Sequence, residues 1–456
     1  MSTAYTSIMA RLARIETLLG VPIIDVDETA LSRLVDGRIR EDHDLDFKQQ
    51  LYGGTDSAKK NLAGDVAALA NTVGGVLVLG VRDENAAAVE LTPVELSDDE
   101  ELRMRQIVAS KVAPHPALAI HRVPSDADQR RGYYVIEVLR SAYSPHAVRV
   151  DNSLRYPRRD GSGIRWLSES EVADAYRDRF TTARQQVERL ATIRSEGESA
   201  LPELGEYAWL SMALMPNLPG EMQLTHKIVQ ELQARPGGVS LLNVGYSTLS
   251  ETHHWPSIAG HRRIIVNVGQ DDGGHPRYGL LHMHTDGGGF AAVQVGREQR
   301  DQMGERFQVI HIPDLRLTGD TINALRLLAH HAVTRCGADG DAAVEVTVLG
   351  DMPMQLADAS NEFSVYETWS HLKIEHAPVG RHTVNLDEIT GTTQGLVTAA
   401  RIVLNDLVQG LGIAESPQLT TDGALRIKYF GRDRGTRDQF RALAEGYGLE
   451  ISEEAL

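Results

Sequence analysis

Three acids and a lysine are the residues of this 456-residue chain best suited to chemistry: Glu41, Asp46 and Asp83, with Lys48 two places after Asp46. Carboxylates drawn into one small space repel each other until a proton or cation compensates them, and each raises the pKa of the next. Hard oxygen donors of this kind select Mg2+ or Mn2+ over softer metals. An ion so held would polarise a phosphodiester oxygen and lower the pKa of a bound water, supplying hydroxide near neutral pH. Lys48 would place positive charge beside the phosphate or simply neutralise the acids. The competing reading makes all of them solvated charges at strand ends. A second set, Arg149, Arg155, Arg158, Arg159 and Arg165, is interleaved with Tyr156 and Trp166. Arginines grip a sugar-phosphate backbone while aromatic rings stack on bases, although such a run also serves as a plain solvated face.

Local patterns say which elements would carry these side chains. Leu45, Phe47 and Leu51 share one parity, so a strand would send Asp46 and Lys48 together to its other face. Leu62, Val66, Leu69 and Val73 fall at helical spacing over 60–73, and Gly74-Gly75 suits the left-handed turn that ends a helix. Val76 to Val81 is a short, β-branched apolar run, as expected of a central strand covered on both faces. Asp83 follows its carboxyl end, where open α/β sheets place ligands. Further strands are expected at 117–123 and 132–139, and helices at 29–35 and 168–194, the last with Ser168 and Glu171 at capping-box spacing. Ile8, Leu12, Ile15 and Leu19 give an amphipathic N-terminal helix. It would dock on its own domain or pair with a second copy to make a homo-oligomer.

Glu41 with an acid five places on, Phe47-Lys48, Ala70-Asn71-Thr72-x-Gly74-Gly75, Gly80-Val81-x-Asp83 and Tyr156-x-Arg158 with Gly161-Ser162 form one pattern. In these residues the chain resembles the Schlafen/AlbA-type nucleic-acid-binding domain family, over roughly residues 30–175. Nucleolytic members carry three acids that act as a metal-dependent ribonuclease site. The resemblance therefore implies Glu41, Asp46 and Asp83 as ligands of Mg2+ or Mn2+ and as catalytic residues beside Lys48. It implies RNA as the favoured substrate, with single-stranded DNA next. Asp46 stands where those members carry glutamate, and Asp160 widens the interval before Gly161-Ser162.

The formal net charge of −17 argues against a binder held to nucleic acid by overall charge, which needs local Lys and Arg. Residues 1–200 hold 26 basic and 31 acidic side chains and the remainder 20 and 32, so the first part repels a polyanion less. No apolar stretch approaches the ~20 residues of a bilayer span, and no secretory leader is evident, so a cytoplasmic protein without membrane partners is expected. The lone Cys336 leaves no intrachain disulfide and reads as a buried, inert thiol. Walker, nucleophile-elbow and dinucleotide-binding glycine motifs are absent.

The expected organisation is α+β: an N-terminal helix over 1–25, a Schlafen/AlbA-like mixed sheet with helices over 26–194, a polar linker over 195–206, and an accessory α+β domain over 207–456. That last region shows strand-like runs at 263–268 and 278–284, a turn at Asp286-Gly-Gly-Gly289 into 290–295, and helical patterns at 321–335 and 395–410. His282-x-His284 would share a strand face, and reads as ordinary polar or partly buried histidine for want of a third ligand. The leading functional reading is a nucleic-acid-binding protein with a candidate metal-dependent nuclease site. The alternatives are a non-catalytic nucleic-acid-binding or transcription-regulatory module with a C-terminal sensor, and an assembly protein.

Overall fold

The computed structural model describes residues 13–234, 239–253, 255–269, 278–300, 306–358, 368–369, 372–431 and 433–456. The architecture is α+β, in two compact units, Met1–Arg184 and Gln185–Leu456.

In the first unit, helices α1 (Ala13–Leu19) and α2 (Glu28–Asp36) precede strand β1 (Leu45–Lys48), helix α3 (Asp56–Ala70) and strand β2 (Gly75–Leu79). β1 and β2 pair in parallel, with Asp46 beside Leu77 and Lys48 beside Leu79. A crossover helix is what joins parallel neighbours. A hairpin of β3 (Val81–Glu84) and β4 (Ala87–Leu91) follows, then β5 (Val94–Glu95), helix α4 (Asp98–Lys111), β6 (Val112–Ala113), β7 (Leu118–Pro124) and β8 (Arg131–Val138). The main sheet runs β1-β2-β8-β5, with β7 also on β8. The expected central strand is indeed flanked on both sides and buried throughout. Leu45, Phe47, Val76 and Val78 pack against Ile15, Leu31 and Leu34, while Leu77 and Leu79 pack on the other face against Leu62, Val66 and Ile107. Ile15 and Leu19 of the N-terminal helix thus dock within their own unit, whereas Ile8 and Leu12 lie outside the described residues.

Four more short strands follow in this unit: β9 (Ala147–Val150) with β10 (Ser153–Arg155), and the hairpin of β11 (Pro157–Asp160) with β12 (Gly163–Trp166). Helix α5 (Glu169–Ser199) opens on the expected capping box, the Ser168 N–H donating to Glu171 Oε2 at 2.9 Å. It runs five residues beyond Arg194, into the first part of the 195–206 segment the sequence suggests as linker. Packing overrides the polar, glycine-containing pattern there: Gly197 sits so close to Phe290 that a β-carbon would come within 2.3 Å of its ring.

The second unit centres on β13 (Tyr207–Leu218), joined by α6 (His226–Ala234), α7 (Thr248–Glu251), β14 (Ser257–Gly260), β15 (Arg263–Val268), β16 (Gly279–His284), β17 (Gly289–Arg300) and β18 (Arg306–Pro313). Helix α8 (Asp314–His330), β19 (Asp339–Leu349), β20 (Met354–Ala357), β21 (Gly380–Asn385), α9 (Leu386–Gly391) and α10 (Thr393–Gly410) follow. Among the described residues the sheet runs β14-β15-β16-β17-β13-β19-β21, with β18 on β17 and β20. Leu210, Met212 and Leu214 pack toward α8 and α10, whereas Trp209, Ala213 and Phe290 pack toward Leu190 and Ile193 of α5. The expected hairpin at 286–289 is present.

Candidate nucleic-acid interface and a buried charge cluster

Asp46 and Lys48 project together from β1, as parity requires, onto the face that carries α3. Lys48 Nζ lies 2.6 Å from Asp46 Oδ2, and Arg159 Nη1 lies 3.4 Å from Asp46 Oδ1, with both side chains of the latter pair 2% exposed. Glu41 accepts the Phe47 N–H at 2.9 Å and shares a hydrogen bond with Asp46. Asp65, on the buried face of α3, takes a hydrogen bond from the Tyr52 hydroxyl and adds its field to Lys48. The assembly holds three carboxyl groups and two cations. Burial, reinforced by Asp46, pushes the Glu41 carboxyl up to about 7, although the Phe47 N–H opposes the rise. Burial alone would lower the Lys48 pKa, yet Asp65, Asp46 and Glu41 together raise it. When Glu41 carries its proton, Asp46 and Asp65 are left facing Lys48 and Arg159, and burial raises the Asp65 carboxyl too, against the pull of Lys48.

The raised Glu41 carboxyl has a measurable consequence. Between about 4.5, the ordinary glutamate value, and about 7, the folded protein holds a proton that the unfolded chain has lost. Glu41 should therefore make stability fall as pH rises through that window, with a slope below the limit of about 1.4 kcal/mol per pH unit. Urea midpoints of Glu41→Gln across the window should lose that slope. An unchanged slope would remove Glu41 as its source.

Asp83 lies in a different sheet from Asp46 and Lys48. Gly80, at φ +97°, ends β2 and turns the chain out of the main sheet. Val81–Glu84 then pairs only within the separate β3–β4 hairpin, where Asp83 is exposed. Among the described residues, the acidic group whose ligand atoms come within 4.8 Å of one another is Asp42, His43 and Asp44. Arg14 already pairs with both of its aspartates. Glu41, Asp46 and Asp83, the donor set expected for Mg2+ or Mn2+, are not such a group, and two cations already hold Asp46.

The basic segment divides in two. Arg159 points inward, its guanidinium bonding Asp42 O at 3.0 Å and Leu45 O at 3.4 Å besides Asp46, so it is removed from the expected nucleic-acid surface. Alternation along β11 leaves Arg158 exposed. Arg149 and Arg155 are exposed as well, and the Arg155 guanidinium lies 5.9 Å from the Trp166 ring centre. Arg165 is paired with Glu171 at 2.8 Å, which leaves it less available to a phosphate. Tyr156 meets Tyr176 edge-on at 6.2 Å, and Tyr176 stacks on Phe180 at 6.3 Å. Arg179 covers the Tyr143 ring at 5.6 Å. Trp166 is 44% and Phe180 65% exposed, and Trp166, opposite Pro157 in the hairpin, lies on the other face from Arg158.

The Asn71-Thr72-x-Gly-Gly motif positions this surface. The Asn71 amide donates to His146 O at 2.9 Å and Pro157 O at 2.8 Å, and accepts from the His146 N–H at 2.6 Å and the Ser144 hydroxyl at 3.2 Å. All four of its hydrogen-bonding positions are filled. Thr72 Oγ1 accepts the Arg159 N–H at 3.1 Å. Gly75, at φ +148°, lets β2 run so close to Asp44 that a β-carbon would lie 2.4 Å from its carbonyl oxygen. Sequence reasoning missed Asp65, Tyr52, Tyr143, Tyr176, Arg179 and Phe180. A lone acid in the apolar face of 62–69, and an i, i+4 aromatic pair at 176 and 180, were the available signals.

The second unit places its own polar groups differently. His284 Nδ1 lies 3.0 Å from Arg189 Nη2, and burial drives the ring pKa down to about 3. A guanidinium occupies the place where a metal would approach that nitrogen. Cys336 is buried, and burial pushes its thiol up to about 12, as an inert thiol requires.

The first unit is thus an α+β domain with exposed arginines and rings and a buried acidic cluster paired with Lys48 and Arg159. Residues 41–168 match the Schlafen, AlbA_2 family model, so a Schlafen/AlbA_2 domain sits N-terminally in this chain. None of the curated proteins matches the chain. A crystal structure of the DIP2311 protein from Corynebacterium diphtheriae is similar at 20% identity and a TM-score of 0.24, over 36% of this chain. The chain spans 28% of that protein's length. No helix of the described residues is long and apolar enough to cross a membrane.

Proposed function

We propose that the N-terminal unit binds single-stranded nucleic acid, RNA in preference, through Arg149, Arg155, Tyr156, Trp166, Tyr176 and Phe180, with Arg158 on the other face of the β11–β12 hairpin. The observation that carries this reading is the Arg155–Trp166 pair set beside the Tyr156–Tyr176–Phe180 ladder. Ring faces accept unpaired bases of any sequence, and neighbouring guanidinium groups neutralise phosphates. The match to a Schlafen/AlbA_2 model supports a nucleic-acid partner. The preference for RNA rests on that family resemblance.

The binding role needs no metal. Purified protein should bind labelled single-stranded RNA in EDTA more tightly than duplex of the same length. With its three arginines engaged, log K should fall against log salt with a slope on the order of −2, and Arg158→Gln should make it shallower by roughly 0.7. Equal affinity for duplex, or a slope near zero, would sink the proposal.

A second reading, metal-dependent cleavage, is favoured only by the approach of Glu41 to Asp46. Mg2+ or Mn2+ held by Glu41, Asp46 and Asp83 would have to displace Lys48 and Arg159 from Asp46. Cutting of RNA that requires Mn2+ and is lost in Asp83→Asn would establish it.

A further inference from the structure

The loop between β8 and β9 carries an exposed ring outside the set that runs from Arg149 to Phe180. Tyr143 is 40% exposed, and the Arg179 guanidinium of α5 lies 5.6 Å from its ring centre. The Asn71-Thr72-x-Gly-Gly motif grips this loop at both ends. At its start Gly74, at φ +79°, runs so close that a β-carbon would lie 2.6 Å from the Arg140 nitrogen and 2.7 Å from Val138 O. At its end Asn71 Oδ1 accepts the Ser144 hydroxyl and the His146 N–H. Between these clamps the Tyr143 N–H donates to Ser141 Oγ at 3.1 Å, and the Ser144 N–H to Ser141 O at 3.4 Å. A ring set on a turn tied in this way loses little freedom when a ligand stacks on it.

Position and charge both connect this ring to a polyanionic strand. Residues three and four apart on a helix are neighbours, so Arg179 shares a face of α5 with Tyr176 and joins Tyr143 to the Tyr156–Tyr176–Phe180 ladder. Burial lowers the pKa of His146 against its bond to Pro114 O, and the charges of Arg179 and His115 lower it further. Both groups therefore lie within electrostatic reach of the loop, and Arg140 and His115 are exposed. Among the described residues no carboxylate pairs with Arg179 or Arg140, in contrast to Arg165.

We propose that Tyr143 and Arg179 form a second nucleotide position, where the Tyr143 ring stacks on a base and Arg179 neutralises the adjoining phosphate of the single strand held at Trp166. The second position rests on nucleic-acid binding by the N-terminal unit and adds to it a dependence on strand length. A strand that covers both positions gains a stacked base, and a short one held at Trp166 does not.

The test is titration of the full chain with uridine oligonucleotides of about four and about sixteen nucleotides, the range of single-strand site sizes, read by tryptophan fluorescence. Tyr143→Leu should weaken the long strand about tenfold and leave the short one unchanged, whereas Tyr143→Phe, which keeps the ring, should bind both like the parent. Arg179→Gln should make the salt slope for the long strand shallower by roughly 0.7. Parent-like affinity of Tyr143→Leu for the long strand, or equal weakening of both strands, would overturn the second position while leaving binding at Trp166 intact. No binding of either strand by the parent would overturn both readings. Should Tyr143→Leu fail to fold, an unchanged salt slope in Arg179→Gln would overturn the second position by itself.

Discussion

Arg159→Met should cost the N-terminal unit about 3–5 kcal/mol, because it leaves the Asp46 carboxylate buried with one cation fewer. The arginine is 2% exposed in its side chain, as is Asp46, and it also bonds the carbonyls of Asp42 and Leu45. Methionine fills comparable volume but offers those oxygens nothing. Urea unfolding followed by circular dichroism measures the loss. Adding Asp46→Leu to Arg159→Met should restore part of the stability, since a double-mutant cycle then removes both halves of one interaction. A single-variant loss under about 1 kcal/mol would mean that the pair is not desolvated as described.

Asn71→Ala should be nearly as damaging, by about 2–4 kcal/mol, since it strands the buried backbone of His146 and Pro157 without partners. It should also weaken nucleic-acid binding, because Pro157 begins the strand that presents Arg158 and follows the segment carrying Arg155 and Tyr156. Asn71→Asp separates the two roles: it keeps the acceptor for the His146 N–H but cannot donate to Pro157 O. Binding by Asn71→Asp at the parent's level would show that this anchor is not what orders the arginine strand.

Much of the first unit was legible in the sequence. Parity at Leu45 and Phe47 placed Asp46 and Lys48 on one face, and the apolar run at 76–81 announced a strand covered on both sides. Those signals are local, fixed by strand and helix periods. What escaped was set by tertiary placement. Asp83 follows β2 by only four residues, but the left-handed Gly80 directs it into another hairpin, which no period records. Arg159 looks like its neighbour Arg158 in sequence, and only the register of β11 against the acidic cluster distinguishes an internal ion pair from a surface charge. The polar stretch after Arg194 continues as helix because Phe290 packs on Gly197, a contact made across nearly a hundred residues of chain.

Trp166 is the direct reporter on the proposed face. It is 44% exposed, while Trp209 and Trp255 are buried. Titrating single-stranded RNA into the protein while following tryptophan fluorescence should give a saturable quench. That quench should be largely absent in Trp166→Phe and unchanged by EDTA, because a base stacks on the ring without needing a metal. RNA binding with the quench fully retained in Trp166→Phe would contradict the account and move the interface away from this surface.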